Sequence, residues 1–218
     1  SQSSAANIKK LKIKNRYTKK NKDSLTVYLL AEYDKNELRK ERDRLLKIAE
    51  EKILSVSEPQ KKADDFFKSK KYYSAAIYYT KAASAALSSG IENGDIKFRQ
   101  NISNAKESLK KIKLNLQKDS LEDSLNKTLI LVNIGTSEEN VPLLVSYKTK
   151  IKNNTSIIIE GIETGQNGTA NFILHDEKIE PKARIRIELD ISEIKQILGS
   201  KDFDEYQEAV KELQQIVF

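Results

Sequence analysis

The one histidine of the chain, His175, is the first candidate for acid-base chemistry, because Asp176 and Glu177 follow it directly. A histidine base needs a carboxylate held against its ring by the fold, and adjacency in sequence does not provide that orientation. We therefore interpret the segment "LHDEKIEP" as a solvated hairpin loop. A conventional triad would have this one histidine as its base, and no serine stands in a nucleophile-elbow context.

The acidic and glycine-rich segments favour no cofactor. The carboxylates cluster at residues 64–65 and 202–205, and neither cluster has the alternating oxygen ligands of an EF-hand. A chain without cysteine has no thiolate site for zinc. "GIETGQNG" has three glycines but lacks the spacing of a nucleotide-binding loop. The sequence therefore predicts a protein that is not an enzyme, with no cofactor and no metal. The carboxylates fall in first turns of predicted helices, where they complement the helix dipole: Asp64, Asp65, Asp202, Asp204 and Glu205.

A cluster of aromatic residues is the strongest remaining signal. The segment "FFKSKKYYSAAIYYTKAASAALSSG", residues 66–90, could be a stacking platform for nucleic acid, a ligand pocket or the seam between two helices. Alanines at helical spacing let two helices approach closely while the rings fill the gap, which favours the seam. Tyr73 and Tyr78 lie outside the main apolar stripe of the predicted helix and could line an exposed groove. We predict partner binding by the whole cluster, with the phenylalanines as a supporting floor: Tyr72, Tyr73, Tyr78, Tyr79, Phe66 and Phe67.

The net charge of +7 is concentrated at the N-terminus. Residues 1–22 hold eight basic residues and no acid, so the remainder of the chain is nearly neutral. We interpret residues 1–22 as a flexible basic arm, which could be a spacer, a contact with anionic lipid or a contact with nucleic acid. Nucleic acid is the least favoured of the three, because the arm has one aromatic residue, Tyr17, and no repeat of basic spacing.

Residue composition limits the membrane topology. The longest apolar run is a few residues, whereas a spanning helix needs about 20. Without cysteine the sequence shown carries neither a disulfide nor a lipid-bearing thiol. Because residue 1 is serine, we expect a removed leader or a trimmed end, and a lipid anchor would then lie outside the sequence shown.

The elements that must position the aromatic cluster are predominantly helical. "SLTVYLLAEYD" indicates one buried or half-buried strand, and Asp34 with Glu37 then predicts a helix start that leads to about residue 55. A second helix is predicted to begin at Ser57, with Pro59 in its first turn. Breaks in periodicity then predict an α-hairpin over residues 57–90 and a third helix over 92–116.

The second half changes to a period of two. Five runs predict strands, "TLILVNI", "VPLLVSYKT", "TSIIIEGIE", "GTANFIL" and "KARIRIELDI", with a hairpin turn at Asn167-Gly168. Residues 202–217 return to helical spacing. The predicted fold class is α+β, with a basic arm at 1–22, a mainly helical domain at 23–118, and a small antiparallel β-sandwich with a terminal helix at 127–218.

The segment "FKSKKYYSAAIYYTKAA" resembles the centre of a tetratricopeptide repeat, with Tyr72, Ala75, Tyr79 and Ala82 on the repeat's aromatic and small positions. It departs from the family where Lys70 replaces the usual turn glycine and where no second copy follows. The resemblance implies one helical hairpin whose faces must be covered by other elements or by another protein.

The order of "VYLLAEYDKNEL", the hairpin and the C-terminal β module resembles Borrelia-type spirochaetal envelope proteins and, more weakly, LPP20-type lipoproteins. "GQNGTANFIL" is similar to a strand-turn-strand of bacterial immunoglobulin-like domains. These resemblances imply a periplasmic or outer-membrane-associated protein that binds another envelope protein and contributes to infection. The alternative is a polyanion binder that uses the basic arm on nucleic acid or anionic lipid.

Overall fold

The computed structural model describes residues 12–22, 24–122, 128–136, 138–151, 154–175, 185–199 and 201–214. These residues form helices together with antiparallel sheets, so the predicted α+β class is confirmed. The chain divides into two compact units, residues 1–54 and 55–218. This division differs from the predicted one, because residues 55–118 of the predicted helical domain share a unit with the predicted β domain.

The first unit contains a β-hairpin. Strand β1 (Lys12–Lys20) pairs antiparallel with strand β2 (Leu25–Glu32), and a bulge interrupts the register near Asn15. Every residue of both strands is exposed. Two predictions are therefore wrong here: residues 12–20 are a strand and not part of a flexible arm, and β2 is not buried, because nothing among the described residues covers either face of the hairpin.

Helix α1 (Lys35–Lys68) begins where predicted, since Asp34 Oδ1 accepts the backbone N–H of Asn36 at 2.7 Å. The predicted break before Ser57 is wrong, because α1 continues through Pro59. Proline inside a helix removes one backbone donor. Val56 and Ala63 are two helical turns apart and fully buried, so packing holds this segment helical around the proline.

The predicted α-hairpin is completed by helix α2 (Tyr72–Ser88). Between α1 and α2 the N–H of Lys71 donates to Phe66 O and that of Lys70 to Phe67 O, the pattern of a Schellman turn. Lys70 has a φ of 61°, so it occupies the left-handed position at which helices usually place glycine.

Helix α2 is the centre of the second unit, and its alanines at 75, 76, 82, 83 and 86 are fully buried. Helix α3 (Gly94–Lys111) packs beside it. The predicted third helix is too long, because Ile112 has extended backbone angles and Leu116 lies in the following strand. The faces of the helical hairpin in this unit are thus covered largely by the chain's own elements.

Six strands among the described residues form two three-stranded antiparallel sheets. All five predicted strands are present, and residues 115–122 form a further strand that was not predicted. The strands are β3 (Asn115–Glu122), β4 (Thr128–Gly135), β5 (Pro142–Ile151), β6 (Asn154–Glu163), β7 (Thr169–His175) and β8 (Arg186–Leu189), and the sheet orders are β3-β4-β7 and β6-β5-β8.

The two sheets share one bent ribbon. Pairs β4-β7 and β5-β6 meet at a corner where Thr136 N–H donates to Gly168 O at 2.7 Å and Asn140 N–H donates to Thr164 O at 2.9 Å. The predicted turn at Asn167-Gly168 forms, but it joins strands of different sheets. Gly168 has a φ of 71°, and a Cβ there would lie 2.9 Å from Thr136 O, so the corner requires glycine.

Two helices follow the sheets. Helix α4 (Ser192–Gly199), which the sequence analysis missed, is capped by Asp190 Oδ1 at the N–H of Ser192. Helix α5 (Asp204–Gln214) is the predicted terminal helix, and residues 215–218 lie outside the described residues. In the part of the chain described here, no helix combines the length and apolarity needed to cross a membrane.

Candidate partner-binding groove

Tyr73 lies in the core and is not on an exposed groove. Its hydroxyl donates to Asp190 O at 2.7 Å, its backbone N–H donates to Glu138 Oε1 at 2.5 Å, and it is 8% exposed. Burial, followed by the nearby charge of Glu193, raises the pKa of its hydroxyl. The expectation that Tyr73 is available to a partner is therefore wrong, because it anchors the start of α2 to the end of β8.

Tyr79 is also buried. Its hydroxyl donates to Asp64 Oδ1 at 2.6 Å, which joins α2 to α1. Burial and this hydrogen bond raise the pKa of the hydroxyl. The carboxylate of Asp64 thus has a structural partner, and Tyr79 is a closing contact of the helical hairpin, with no face left for another protein.

Tyr72 and Phe67 form a second pair of rings at the turn between the helices. Their centroids lie 5.5 Å apart in an edge-to-face arrangement, and Lys111 Nζ lies 5.6 Å from the Phe67 ring. Both side chains are partly buried against the core. Their predicted role in partner binding stays a prediction, but their contacts already account for their position.

Tyr78 is the ring that faces outward. It packs on Phe66 with a centroid distance of 5.3 Å and remains partly exposed. Lys81 Nζ lies 4.9 Å and Lys62 Nζ 5.8 Å from the centre of the ring, so the tyrosine has two cations over it. The Tyr78 groove, as we name it, is open and lined by Lys62, Asp65, Phe66, Ser69, Lys71 and Tyr78.

The charges around the Tyr78 groove are three lysines, Lys62, Lys71 and Lys81, and three acids, Asp65, Glu139 and Glu193. Lys71 Nζ lies 3.4 Å from Glu139, and Lys81 Nζ lies 3.6 Å from Glu193, so each cation is held at the rim by an acid that is itself partly exposed. Asp65 is the one acid of the lining. The lining combines an apolar floor with lysines and a hydroxyl, a composition that suits the binding of an amphipathic ligand.

The sequence analysis missed the lysines of this groove, although they carried a signal. Lys62 precedes Phe66 by four residues and Lys81 follows Tyr78 by three, spacings that place side chains on the same helical face. It also missed Glu138, a buried carboxylate at the start of α2 whose pKa is raised to about 7 by burial. No local pattern could have indicated Glu138, since it caps a helix 65 residues earlier in the chain.

The residues considered for chemistry lie apart from this groove or have other partners. His175 is the last residue of β7, and Asp176 and Glu177 lie outside the described residues. Asp204 and Glu205 lie in the first turn of α5, as expected, whereas the same expectation for Asp64 and Asp65 is wrong because they lie near the end of α1. Among described side chains no group of three or more histidine, cysteine or acidic residues has the arrangement of a metal site.

The chain matches no known protein-family model. It matches no curated protein. Among solved structures it is similar to the Salmonella enterica trimeric lipoprotein SadB, with 15% sequence identity over 73% of this chain and 97% of that chain, and a TM-score of 0.21. A TM-score this low does not show a common fold.

Proposed function

We propose that this chain is a non-enzymatic protein-binding module of the bacterial cell envelope, which holds a segment of another envelope protein in the Tyr78 groove. The observation that carries the proposal is the contrast within the aromatic cluster. Tyr73 and Tyr79 each bond inward through their hydroxyls, whereas Tyr78 lies partly exposed between Phe66 and two lysines. Rigid aromatic rings in partly desolvated grooves are frequent anchors of protein interfaces.

The lining also indicates the chemistry of the bound segment. An apolar or aromatic side chain fits against the floor made by Phe66 and Tyr78. A carboxylate beside that anchor would meet Lys62 first, since Lys71 and Lys81 are paired with Glu139 and Glu193. Complementary charge of this kind speeds encounter and fixes orientation more than it adds affinity.

The envelope location is supported by the resemblance of the sequence to spirochaetal envelope proteins. A periplasmic or outer-membrane-associated place, and a contribution to infection, belong to the same proposal. Neither is needed for the groove itself to bind a protein segment.

Site-specific photo-crosslinking in the native cell tests the proposal. A photoreactive residue at Ser69, in the groove, should give a defined cross-linked partner, and the same residue at the exposed Gln207 on α5 should not give that product. Tyr78→Ala should weaken capture of that partner by about tenfold, a typical cost for an aromatic anchor. Tyr17→Ala, on the exposed β-hairpin, is the matched control and should leave capture unchanged.

The melting temperature of Tyr78→Ala separates binding from folding. We expect a small change, because the ring is partly exposed. Capture that is equal for the wild type and Tyr78→Ala, or a product that forms as well from Gln207 as from Ser69, would contradict the proposal.

Polyanion binding is a second candidate function, which the exposure of β1 favours. All nine residues of β1 are exposed and five of them are basic. Binding through this strand would fall steeply with salt, because neutralised phosphates release their counterions. Deletion of residues 1–22 should abolish such binding and leave capture at the Tyr78 groove intact.

A further inference from the structure

The first unit has no core of its own. Among the described residues from 12 to 54 none is buried, and the first buried residue of the chain described is Val56. Eleven large apolar side chains between Ile13 and Leu54 are exposed. So many exposed apolar groups in a short segment mark an interaction surface.

The register of the hairpin β1-β2 sorts its side chains onto two different faces. Residues that are paired across the strands share a face, and neighbours along a strand alternate between faces. We name one of them the Leu29 face, and its members are the paired residues Leu25 and Lys20, Val27 and Thr18, Leu29 and Arg16, and Ala31 and Ile13. An apolar row on this face therefore lies beside two cations.

The Leu29 face carries cations and no acid. Glu32 is the one acid of the two strands, and the alternation places it on the opposite face, where it is paired with Lys14 at 2.7 Å. Over residues 12–32 as a whole, six basic residues stand against two acids, Asp23 and Glu32. A surface with exposed apolar groups and an excess of cations is complementary to one that combines anions with an apolar phase.

An anionic phospholipid bilayer is such a surface. Its acyl chains accept apolar side chains, and its phosphates accept lysine and arginine groups, which reach the headgroups on long aliphatic stems. Clusters of basic residues bind anionic lipid with a gain of about fivefold for each cation. We propose that the Leu29 face lies on an anionic phospholipid bilayer, with its large apolar side chains among the acyl chains and Arg16 and Lys20 on phosphates.

The hairpin must lie flat and shallow on that bilayer. Among the described residues each of its strands has one hydrogen-bonded neighbour, so the outer edges keep backbone N–H and C=O groups without a strand partner. Such edges are not found in hydrocarbon. A sheet that lies parallel to the surface inserts the side chains of one face and leaves both edges hydrated. It also leaves Tyr17 and Tyr28, which pack on each other on the opposite face at 6.0 Å, in water.

Nucleic acid is the polyanion from which the lipid must be distinguished. A single strand stacks on aromatic rings, so it would use the opposite face, where Tyr17 and Tyr28 lie beside Lys19. It would leave the apolar row of the Leu29 face in water. The proposal rests on the second candidate function, which it narrows to one class of ligand, and it does not involve the Tyr78 groove.

Co-sedimentation of the full chain with vesicles of phosphatidylcholine, with and without an equal part of phosphatidylglycerol, tests the binding. Leu29 and Leu30 are a matched pair, because they are adjacent on β2, lie on opposite faces and are 54% and 62% exposed. Leu29→Glu should weaken binding to the anionic vesicles about tenfold or more, since it removes an inserted side chain and adds a charge to the inserted face. Leu30→Glu should weaken it about fivefold or less, because it changes only the charge of the hairpin.

The absence of tryptophan from the sequence allows a direct test of insertion. Leu29→Trp should give a blue-shifted emission with anionic vesicles and should be quenched by lipids brominated in their acyl chains. Leu30→Trp should show neither change.

Three results would overturn the proposal: no binding to anionic vesicles, equal losses in the two glutamate variants, or equal quenching of the two tryptophan variants. Binding to a single-stranded oligonucleotide but not to vesicles would overturn it as well, and would leave polyanion binding as a candidate. The cross-link from Ser69 reports on the Tyr78 groove separately, so the failure of either proposal is recognised without the other.

Discussion

The two units of the chain carry similar apolar periodicity and bury very different amounts of it. In residues 55–214 the alanines of α2 are fully buried, and Tyr206 of α5 donates its hydroxyl to Ser84 O within the core. In residues 12–54 no described side chain is buried. A periodic apolar pattern therefore predicts the local element but not whether the same chain covers it.

The contrast has a compositional basis. Helix α2 has small residues on most of its surface, so α3 and α4 can approach it closely. The first unit has leucines and tyrosines on a hairpin and on a long helix, with no small-residue surface to bring them together. The first unit must therefore be stabilised by contacts from outside it. Partners are best sought at the surface of the first unit and at the Tyr78 groove.

The largest expected effect comes from truncating one tyrosine in each unit. Tyr206→Ala removes a ring that is 0% exposed, its edge-to-face contact with Phe98 and its bond to Ser84, and should cost about 3–5 kcal/mol of unfolding free energy. Tyr17→Ala removes a ring that is 65% exposed and should cost less than about 0.5 kcal/mol. Urea unfolding measures both, and equal losses would break the comparison.

A smaller effect should follow from the buried Glu138. Its pKa is raised to about 7, so the folded chain holds the proton more tightly than the unfolded chain does. The contribution of Glu138 to stability is therefore greatest at acidic pH and is lost as pH rises from about 4.5 to about 7. Glu138→Gln keeps an acceptor for the N–H of Tyr73 but cannot titrate.

The measurement is the pH dependence of unfolding in wild type and Glu138→Gln. We expect the stability of the wild type relative to the variant to fall by roughly 1–2 kcal/mol over that interval, after allowance for some solvent access. Glu139→Gln is the control, since that side chain is paired with Lys71 at the rim. A difference that rises with pH would show that the helix N-terminus stabilises the charged form more than burial disfavours it.

The smallest expected effect comes from relieving backbone strain at the turn between α1 and α2. Lys70→Gly should raise unfolding free energy by about 0.5–1 kcal/mol, because glycine adopts the left-handed conformation without a Cβ penalty. Lys71→Gly is the matched control and should lower stability, since Lys71 has a negative φ of −91°. Thermal unfolding measures both, and a loss in Lys70→Gly would mean that the lysine side chain itself contributes to the turn.

Much of the fold followed from sequence because its signals are local. The α-hairpin, the third helix and five strands were predicted from periodicity, and Asp34 from its capping position. The missed elements lack such signals: β3 is polar, β1 is dominated by lysines, and α4 is a short helix. The break predicted at Pro59 failed because the burial of Val56 and Ala63 is a tertiary effect that composition does not show.

The candidate site was predicted in part. The aromatic cluster was found, but its division into inward and outward rings was not, because Tyr73 is satisfied by Asp190 and Glu138, both distant in sequence. Helical periodicity placed Tyr73 and Tyr78 together off the main stripe. The packing of α2 on several sides separates them, since a helix surrounded by neighbours has no single solvent face.

The bent ribbon has a mechanical consequence. Because β4-β5 and β6-β7 pass through a corner closed by Thr136, Asn140, Thr164 and Gly168, tension applied to one three-stranded sheet is transmitted along continuous backbone to the other. One sheet therefore cannot separate from the other unless the hydrogen bonds of the corner break.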